Sequence, residues 1–183
     1  MKYAAIAWDM DGTLVDTEVL YKAATDKINA QYGLTVPSDD HTGLSLPDSW
    51  KFFDTEETKN LSFDRWRDDI QFYVESRLHE IKIFESAWHV LKVMSEKELP
   101  QTCVSNNSKL FIEKVLKKND VHHLFEHCLG YEDVSHPKPD PAPYLYSAKL
   151  LQVAPEHCLV VEDSLVGVTS AKKAGMSCAS CPA

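Results

Sequence analysis

Short apolar runs alternate with amphipathic segments along most of this chain. The stretch 3–8 is apolar throughout; Leu20, Ala24 and Ile28 then recur every four residues between Glu18 and Tyr32, and Gly33 follows. The first pattern predicts a strand buried on both faces, and the second a helix stopped by a glycine suited to a left-handed C-cap. From Ile81 the alternation resumes, with helices expected over 87–97, 109–117 and 142–151 and a last one opening at Ser164 and stopped by Gly175. Between them lie the apolar runs 102–104, 128–129 and 158–161. Strands this short, separated by helices, predict a parallel sheet covered on both faces, an α/β core of Rossmann-like, three-layer type.

The stretch 35–77 has a different character. It is rich in charge, carries Pro37 and Pro47, and offers helical periodicity over 63–78 without a convincing strand. The expected organisation is therefore a core of 1–15 and 81–183, interrupted by an all-helical cap over 16–80. Trp50, Trp66 and Trp88 read as packing residues of these two parts.

Composition narrows the function classes. With 44% hydrophobic and 26% charged residues the chain is ordinary globular material. The balance of 19 basic against 28 acidic residues, net −9, argues against nucleic acid or an anionic membrane as partner and leaves a small polar substrate as the easier expectation. No apolar stretch approaches the roughly 20 residues that span a bilayer, and Asp9 cuts the first run before it reaches signal-peptide length, so a cytoplasmic chain is expected. Five scattered cysteines read as reduced thiols, and Cys178-x-x-Cys181 as a plain tail. His122, His123 and His127 read as a polar helix end rather than a metal site. No protein partner is evident.

In a parallel sheet the strands point their C-terminal ends to one edge, where ligands bind. The first strand ends in Asp9-Met10-Asp11-Gly12-Thr13, the second in Ser105-Asn106-Asn107-Ser108 and the fourth in Glu162-Asp163-Ser164, while Lys138 lies in the loop "SHPKPDP". Taken singly these have plain explanations: Ser108 and Ser164 fit helix N-caps, and a lone Lys138 fits a solvated loop charge. Taken together they describe a site. Asp9, Asp11 and Asp163 repel one another unless a cation neutralises them, and hard oxygen ligands suit Mg²⁺. Ser105, backbone N–H groups near Asn106, and Lys138 are donors of the kind that hold phosphate oxygens, so the cluster reads as phosphoryl-transfer machinery.

These residues resemble the haloacid dehalogenase-like superfamily, in the branch with a small helical cap that contains β-phosphoglucomutase-type enzymes and sugar phosphatases. The resemblance rests on "DMDGT", "VSNNS", Lys138 in "HPKPDP", and "VVEDSLVGVTSAKKAGM", which occur in order from Ile6 to Met176. It implies Asp9 as nucleophile and metal ligand, forming an aspartyl-phosphate, and Asp11 as general acid and base whose backbone carbonyl also ligates Mg²⁺. It implies Asp163 as the remaining protein ligand, Glu162 behind it through water, and Thr13, Ser105, Asn106 and Lys138 as phosphate-binding groups. Positions i and i+2 of an extended stretch face the same way, which is why both aspartates would face the crevice while Gly12 turns the chain away. Superfamily members that dehalogenate lack an acid two positions after the nucleophile, because a halide leaves without a proton. Asp11 thus implies phosphate esters.

The cap would close over the site and select the substrate through 41–50, with Gly43, Leu44, Ser45 and Leu46 as the specificity loop. Mutases of this branch carry a basic residue where Leu46 aligns, so the expected activity is a Mg²⁺-dependent phosphomonoesterase of a small phosphorylated metabolite, a sugar or polyol phosphate. A β-phosphoglucomutase-type phosphotransferase is the alternative, and a non-catalytic phospho-acceptor or binding scaffold the third reading. Relatives also continue past Gly175 with a further strand and helix, for which only eight residues remain here.

Overall fold

The computed structural model describes residues 2–35, 46–53, 56 and 58–180. They divide into two compact units, one of residues 1–16 and 81–183 and the other of residues 17–80.

The larger unit is built on five parallel strands, β1 (Ala5–Trp8), β2 (Gln101–Val104), β3 (His127–Leu129), β4 (Cys158–Glu162) and β5 (Ser177–Ser180), in the order β3-β2-β1-β4-β5. The helices of this unit are α4 (Glu85–Glu96), α5 (Lys109–Lys118), α6 (Ala142–Leu150) and α7 (Leu165–Lys173). Both β1 and β2 are buried at every position, which is why they read as unbroken runs rather than alternating ones. Ala5 and Ala7 of β1 meet Tyr144, Ala148, Val160, Ala171 and Met176 in one apolar layer, so the alternate residues Ile6 and Trp8 serve the opposite face. Buried Gln101 keeps its amide satisfied by accepting from Trp8 Nε1 at 3.0 Å and donating to Leu91 O at 3.2 Å.

Chain order and strand order part company around β1. The chain runs outward from β1 to β2 and β3, then crosses back under the sheet through α6 to β4. Such a switch opens a crevice at the C-terminal strand ends, where β1, β2 and β4 deliver their last residues. Ser108 and Ser164 cap the two following helices, their hydroxyls accepting from Phe111 N at 3.3 Å and Gly167 N at 3.0 Å.

One expectation is corrected here. Residues 177–180 are no tail: they form β5, paired with β4 from Leu159↔Ser177 to Glu162↔Ser180. Ser-Cys-Ala-Ser carries no β-branched or aromatic signal, and the backbone ladder to β4, with Met176 and Cys178 on the apolar layer, supplies the stability that propensity does not. Cys103, Cys128, Cys158 and Cys178 are free thiols, and Cys181 lies outside the described residues.

The smaller unit contains α1 (Glu18–Tyr32), α2 (Leu46–Trp50) and α3 (Phe63–Glu75). Leu20, Ala24 and Ile28 of α1 are buried, as are Trp66, Ile70 and Val74 of α3, the i, i+4 pattern of two packed helices. Trp66 is fully buried among the rings of Trp50, Phe53 and Phe63 at centroid distances of 5.3 to 6.2 Å, with its Nε1 donating to Asn29 Oδ1 at 2.8 Å. Gly33 ends α1 with φ +68°, the left-handed C-cap. Among the described residues no helix is long and apolar enough to cross a membrane.

Candidate active site

The site begins where β1 runs out. Asp9 still belongs to the sheet through its N–H, which donates to Val161 O at 3.0 Å, but the residue after it, Met10, is fully buried and turned into the core. Strand alternation therefore places Asp9 and Asp11 on the opposite side together. The chain then folds back on itself: Leu14 N and Val15 N both donate to Met10 O, at 2.8 and 3.1 Å, and Gly12 takes φ +79°. A Cβ at Gly12 would lie 2.1 Å from Asp163 Oδ2, so glycine is required by the backbone angle and by the approach of that carboxylate. Thr13, next in line, donates its hydroxyl to Asp163 Oδ1 at 3.0 Å.

Lys138 is the centre of the buried half of the site. It is 6% exposed, and its ammonium donates to Asp9 Oδ1 at 2.7 Å, Glu162 Oε1 at 2.8 Å and Val104 O at 2.8 Å. An ammonium has three protons, and all three are in use. The Tyr144 ring lies 4.9 Å from the same nitrogen, while the Tyr144 hydroxyl donates to Glu162 Oε1 at 3.1 Å. The other oxygen of Glu162 accepts from Ser164 N at 3.0 Å and Ser164 Oγ at 2.8 Å. Room for this carboxylate comes from α7, where a Cβ on Gly167 would fall 1.5 Å from Glu162 Oε1. Asn106 fixes the Lys138 loop by its backbone, accepting from Lys138 N at 3.0 Å and donating to Lys138 O at 3.1 Å.

Asp11 has a different environment. Half-buried, it accepts at Oδ2 from Ser105 Oγ at 3.0 Å and from Asn107 Nδ2 at 2.8 Å, and Ser105 Oγ in turn accepts from Asn107 N at 3.1 Å. The two aspartates of the first motif thus have different partners among these groups: Asp9 accepts from the Lys138 cation, and Asp11 accepts from the neutral Ser105 and Asn107 donors.

Electrostatics follows from this crowding. Burial, reinforced by Glu162 and Asp11 and opposed by Lys138, raises the Asp9 carboxyl to about 8. Burial also raises Asp163, against the hydrogen bond from Thr13. Although burial pulls the Lys138 ammonium down, Asp9, Tyr144 and Glu162 hold it well above the ordinary lysine value. Burial works against Glu162 as an anion, yet Lys138 and Ser164 bring its pKa below the usual range. Oxygens of Asp9, Glu162 and Asp163 lie within 4.8 Å of one another, a grouping that suits a hard divalent cation. Because Glu162 already accepts four hydrogen bonds, Asp9 and Asp163 are the members of that group with an oxygen to offer.

Of the residues singled out in the sequence, Asp9, Asp11, Thr13, Ser105, Lys138, Glu162 and Asp163 meet at this one sheet edge. Several do so with partners the sequence did not indicate: Thr13 orients Asp163, Ser105 lies on Asp11, Asn106 turns to the Lys138 backbone, and Glu162 grips Lys138 directly. Gly43, Leu44 and Ser45 lie outside the described residues, and half-buried Leu46 opens α2 in the smaller unit. Sequence reasoning gave no role to Asn107, Tyr144 or Gly167. A glycine inside a helical pattern signals close approach, so Gly167 was detectable; Tyr144 shows no signal beyond an apolar helix face.

Comparison with known proteins identifies the family and the fold. The family model described as haloacid dehalogenase-like hydrolase matches residues 6–181. Pyrophosphatase PpaX of Oceanobacillus iheyensis is 27% identical, over 98% of this chain and 83% of its own. The 6-phosphogluconate phosphatase of Escherichia coli K12 is 29% identical, over 94% of this chain and 79% of its own. Among solved structures, CbbY from Rhodobacter sphaeroides in complex with phosphate superposes with a TM-score of 0.82 at 21% identity, covering 99% of this chain and 87% of that one, a likeness of fold.

Proposed function

The chain belongs to the haloacid dehalogenase-like hydrolases, and from that premise we propose that it is a Mg²⁺-dependent phosphomonoesterase of a small phosphorylated metabolite, a sugar or polyol phosphate, working through an aspartyl-phosphate on Asp9. The observation that carries this reading is the division between two neighbouring carboxylates: Asp9 is buried against the Lys138 ammonium, and Asp11 is half-buried among hydroxyl and amide donors. Environments that separate two acids in this way suit them to different tasks, and with a metal held there the Asp9 carboxyl would give up the proton that burial favours, freeing the carboxylate to attack.

Asp9 attacks phosphorus, and as the P–O bond to the substrate breaks, the leaving alkoxide takes a proton from Asp11. Water then attacks the aspartyl-phosphate, giving its proton to Asp11, and the P–O bond to Asp9 breaks to release inorganic phosphate. Lys138 favours the ionised form of Asp9 and holds its Oδ1, leaving the second oxygen to act as nucleophile or ligand. Asp9, Asp163 and the Asp11 backbone carbonyl would hold Mg²⁺, which when bound supplies charge neutralisation at the phosphoryl oxygens. The backbone N–H groups beyond β2 are the donors for the remaining phosphate oxygens, with Ser105 acting through Asp11 and Thr13 through Asp163.

Apolar Leu46 where mutases carry a basic residue favours hydrolysis over transfer to a second phosphate-bearing sugar. The relative named for 6-phosphogluconate supports a phosphorylated sugar as substrate class, and the one named a pyrophosphatase puts inorganic pyrophosphate on the test panel. The experiment is phosphate release from phosphorylated sugars, polyol phosphates and pyrophosphate, with and without Mg²⁺, for the native chain and Asp9→Asn. Metal-dependent release that disappears in the variant is expected. No release from any ester by a folded native chain that binds Mg²⁺ refutes the proposal.

A further inference from the structure

Asp11 is needed twice, as the acid that protonates the leaving oxygen and as the base that takes a proton from water, and both tasks require a defined carboxyl oxygen. Its Oδ2 receives two donors. The first is the Asn107 side-chain amide at 2.8 Å, a nitrogen with protons and no lone pair to offer, so Oδ2 accepts there and carries no proton. The second is the Ser105 hydroxyl at 3.0 Å, whose orientation is fixed by the Asn107 backbone N–H, donating to Ser105 Oγ at 3.1 Å. Asn107 therefore acts on Asp11 directly, and again through Ser105.

We infer that Asn107 is the positioning residue of the general acid: by making Oδ2 of Asp11 an acceptor, it assigns the transferable proton to Oδ1 and keeps the carboxyl group from rotating. The inference rests on the phosphomonoesterase reading above. In the first step the proton leaves Asp11 Oδ1 for the substrate oxygen as its bond to phosphorus breaks, and the negative charge that results is shared with the donors on Oδ2. In the second step the same oxygen receives the proton of the attacking water. The amide stays in place throughout, because an N–H donor is compatible with Oδ2 in both states of the group.

A residue acting in this way leaves a signature in the leaving group. An alkoxide departs only with a proton, whereas para-nitrophenolate departs well without one. The constant kcat/KM covers the steps up to departure of the leaving group, so it isolates acid catalysis from hydrolysis of the intermediate. The test compares β-glycerol phosphate with para-nitrophenyl phosphate at saturating Mg²⁺, for the native chain, Asn107→Ala and Asn107→Asp, with the melting temperature of each as a check on folding. For Asn107→Ala, kcat/KM is expected to fall about 10- to 100-fold on the alkyl ester and only about 3-fold on the aryl ester, a part of the ~10²- to 10⁴-fold that a general acid supplies. Asn107→Asp keeps the shape but sets an acceptor against Oδ2, so its alkyl-ester loss is expected to be at least as large. Equal losses on the two esters, or native alkyl-ester activity in either variant, overturn the inference while leaving the phosphomonoesterase reading intact. A native chain inert toward both esters overturns that reading, and this inference with it.

Discussion

Replacing Gly167 by alanine sets two physical effects against each other. By helix propensity alone the change stabilises α7 by about 1 kcal/mol, since glycine is the poorer helix former. By geometry it is destructive, because the new Cβ would lie 1.5 Å from Glu162 Oε1 and 1.8 Å from its Cδ. The end of a glutamate side chain is ordinarily free to move aside. Here it is fully buried and held by Lys138, Tyr144 and both donors of Ser164, so any displacement breaks bonds that have no replacement. Disrupting a buried, hydrogen-bonded ion pair costs roughly 3–5 kcal/mol, which leaves a net loss of about 2–4 kcal/mol and a melting temperature lower by on the order of 10 °C. Activity should suffer more than stability: with Glu162 displaced, Lys138 loses one of its three anchors, and a misplacement of an ångström at Asp9 lowers turnover by about 10²-fold. Urea unfolding and phosphate release measure the two effects. The decisive comparison is the cycle with Glu162→Ala, in which the space is vacated and Gly167→Ala should become neutral or stabilising by up to about 1 kcal/mol. A Gly167→Ala chain as stable and active as the native one would refute the reasoning.

Thr13→Val keeps the volume of the side chain but removes the hydroxyl on Asp163 Oδ1, and should weaken Mg²⁺ binding by about 10- to 100-fold; an unchanged dissociation constant in titration calorimetry would show that Asp163 needs no such support. The raised Asp9 carboxyl makes a pH prediction whose sign is fixed: the folded chain keeps a proton that the unfolded chain releases, so in metal-free buffer this group lowers stability as pH climbs from about 4, the unfolded value, to about 8. Mg²⁺ bound at Asp9 displaces that proton, so its stabilising effect should grow across the same window, with close to one proton released per ion near pH 6 to 7; calorimetry in buffers of different ionisation enthalpy that detects no release would contradict the assignment.

Much of this arrangement was legible because parallel α/β folds announce themselves twice. Buried strands such as Ala5–Trp8 must be apolar throughout, and their polar groups then have to appear at one end, where Asp9, Ser105 and Glu162 are found. The pairing of those groups was not legible. Lys138 lies 129 residues from Asp9 and 24 from Glu162, and nothing in "HPKPDP" says that the ammonium is buried rather than solvated. Only the crossing of α6 under the sheet, which puts Tyr144 beneath the strand ends, decides that. The role of Thr13 escaped for a related reason: its hydroxyl suits a phosphate equally well, and its choice of Asp163 depends on how tightly Gly12 turns. β5 was missed because an edge strand of small residues is made by its neighbour's backbone rather than by its own side chains.

The charges of the site restrict the order of events within it. Asp9, Asp11, Glu162 and Asp163 face one ammonium, and since Glu162 holds Lys138 from behind, three carboxylates are left toward the crevice. Oxygens of Asp9 and Asp163 lie within 4.8 Å of each other, where two full charges repel by about 3 kcal/mol even at an effective dielectric constant near 20. A phosphate dianion brought into this field is repelled by every ionised member. Lys138 offsets only one of these charges, and its three protons are engaged with Asp9, Glu162 and Val104 rather than open to a phosphate oxygen. Below about pH 8 the proton on Asp9 relieves part of the repulsion, and on the proposed reading two further changes would complete the relief: a divalent cation held by Asp9 and Asp163, and a proton on Asp11. On the proposed mechanism the first would leave Asp9 ionised and nucleophilic, and the second is the state in which Asp11 would serve as an acid. If that mechanism holds, the conditions that admit a phosphate ester are the conditions that ready both aspartates, so a site this acidic would exclude its substrate until it was competent to cleave it.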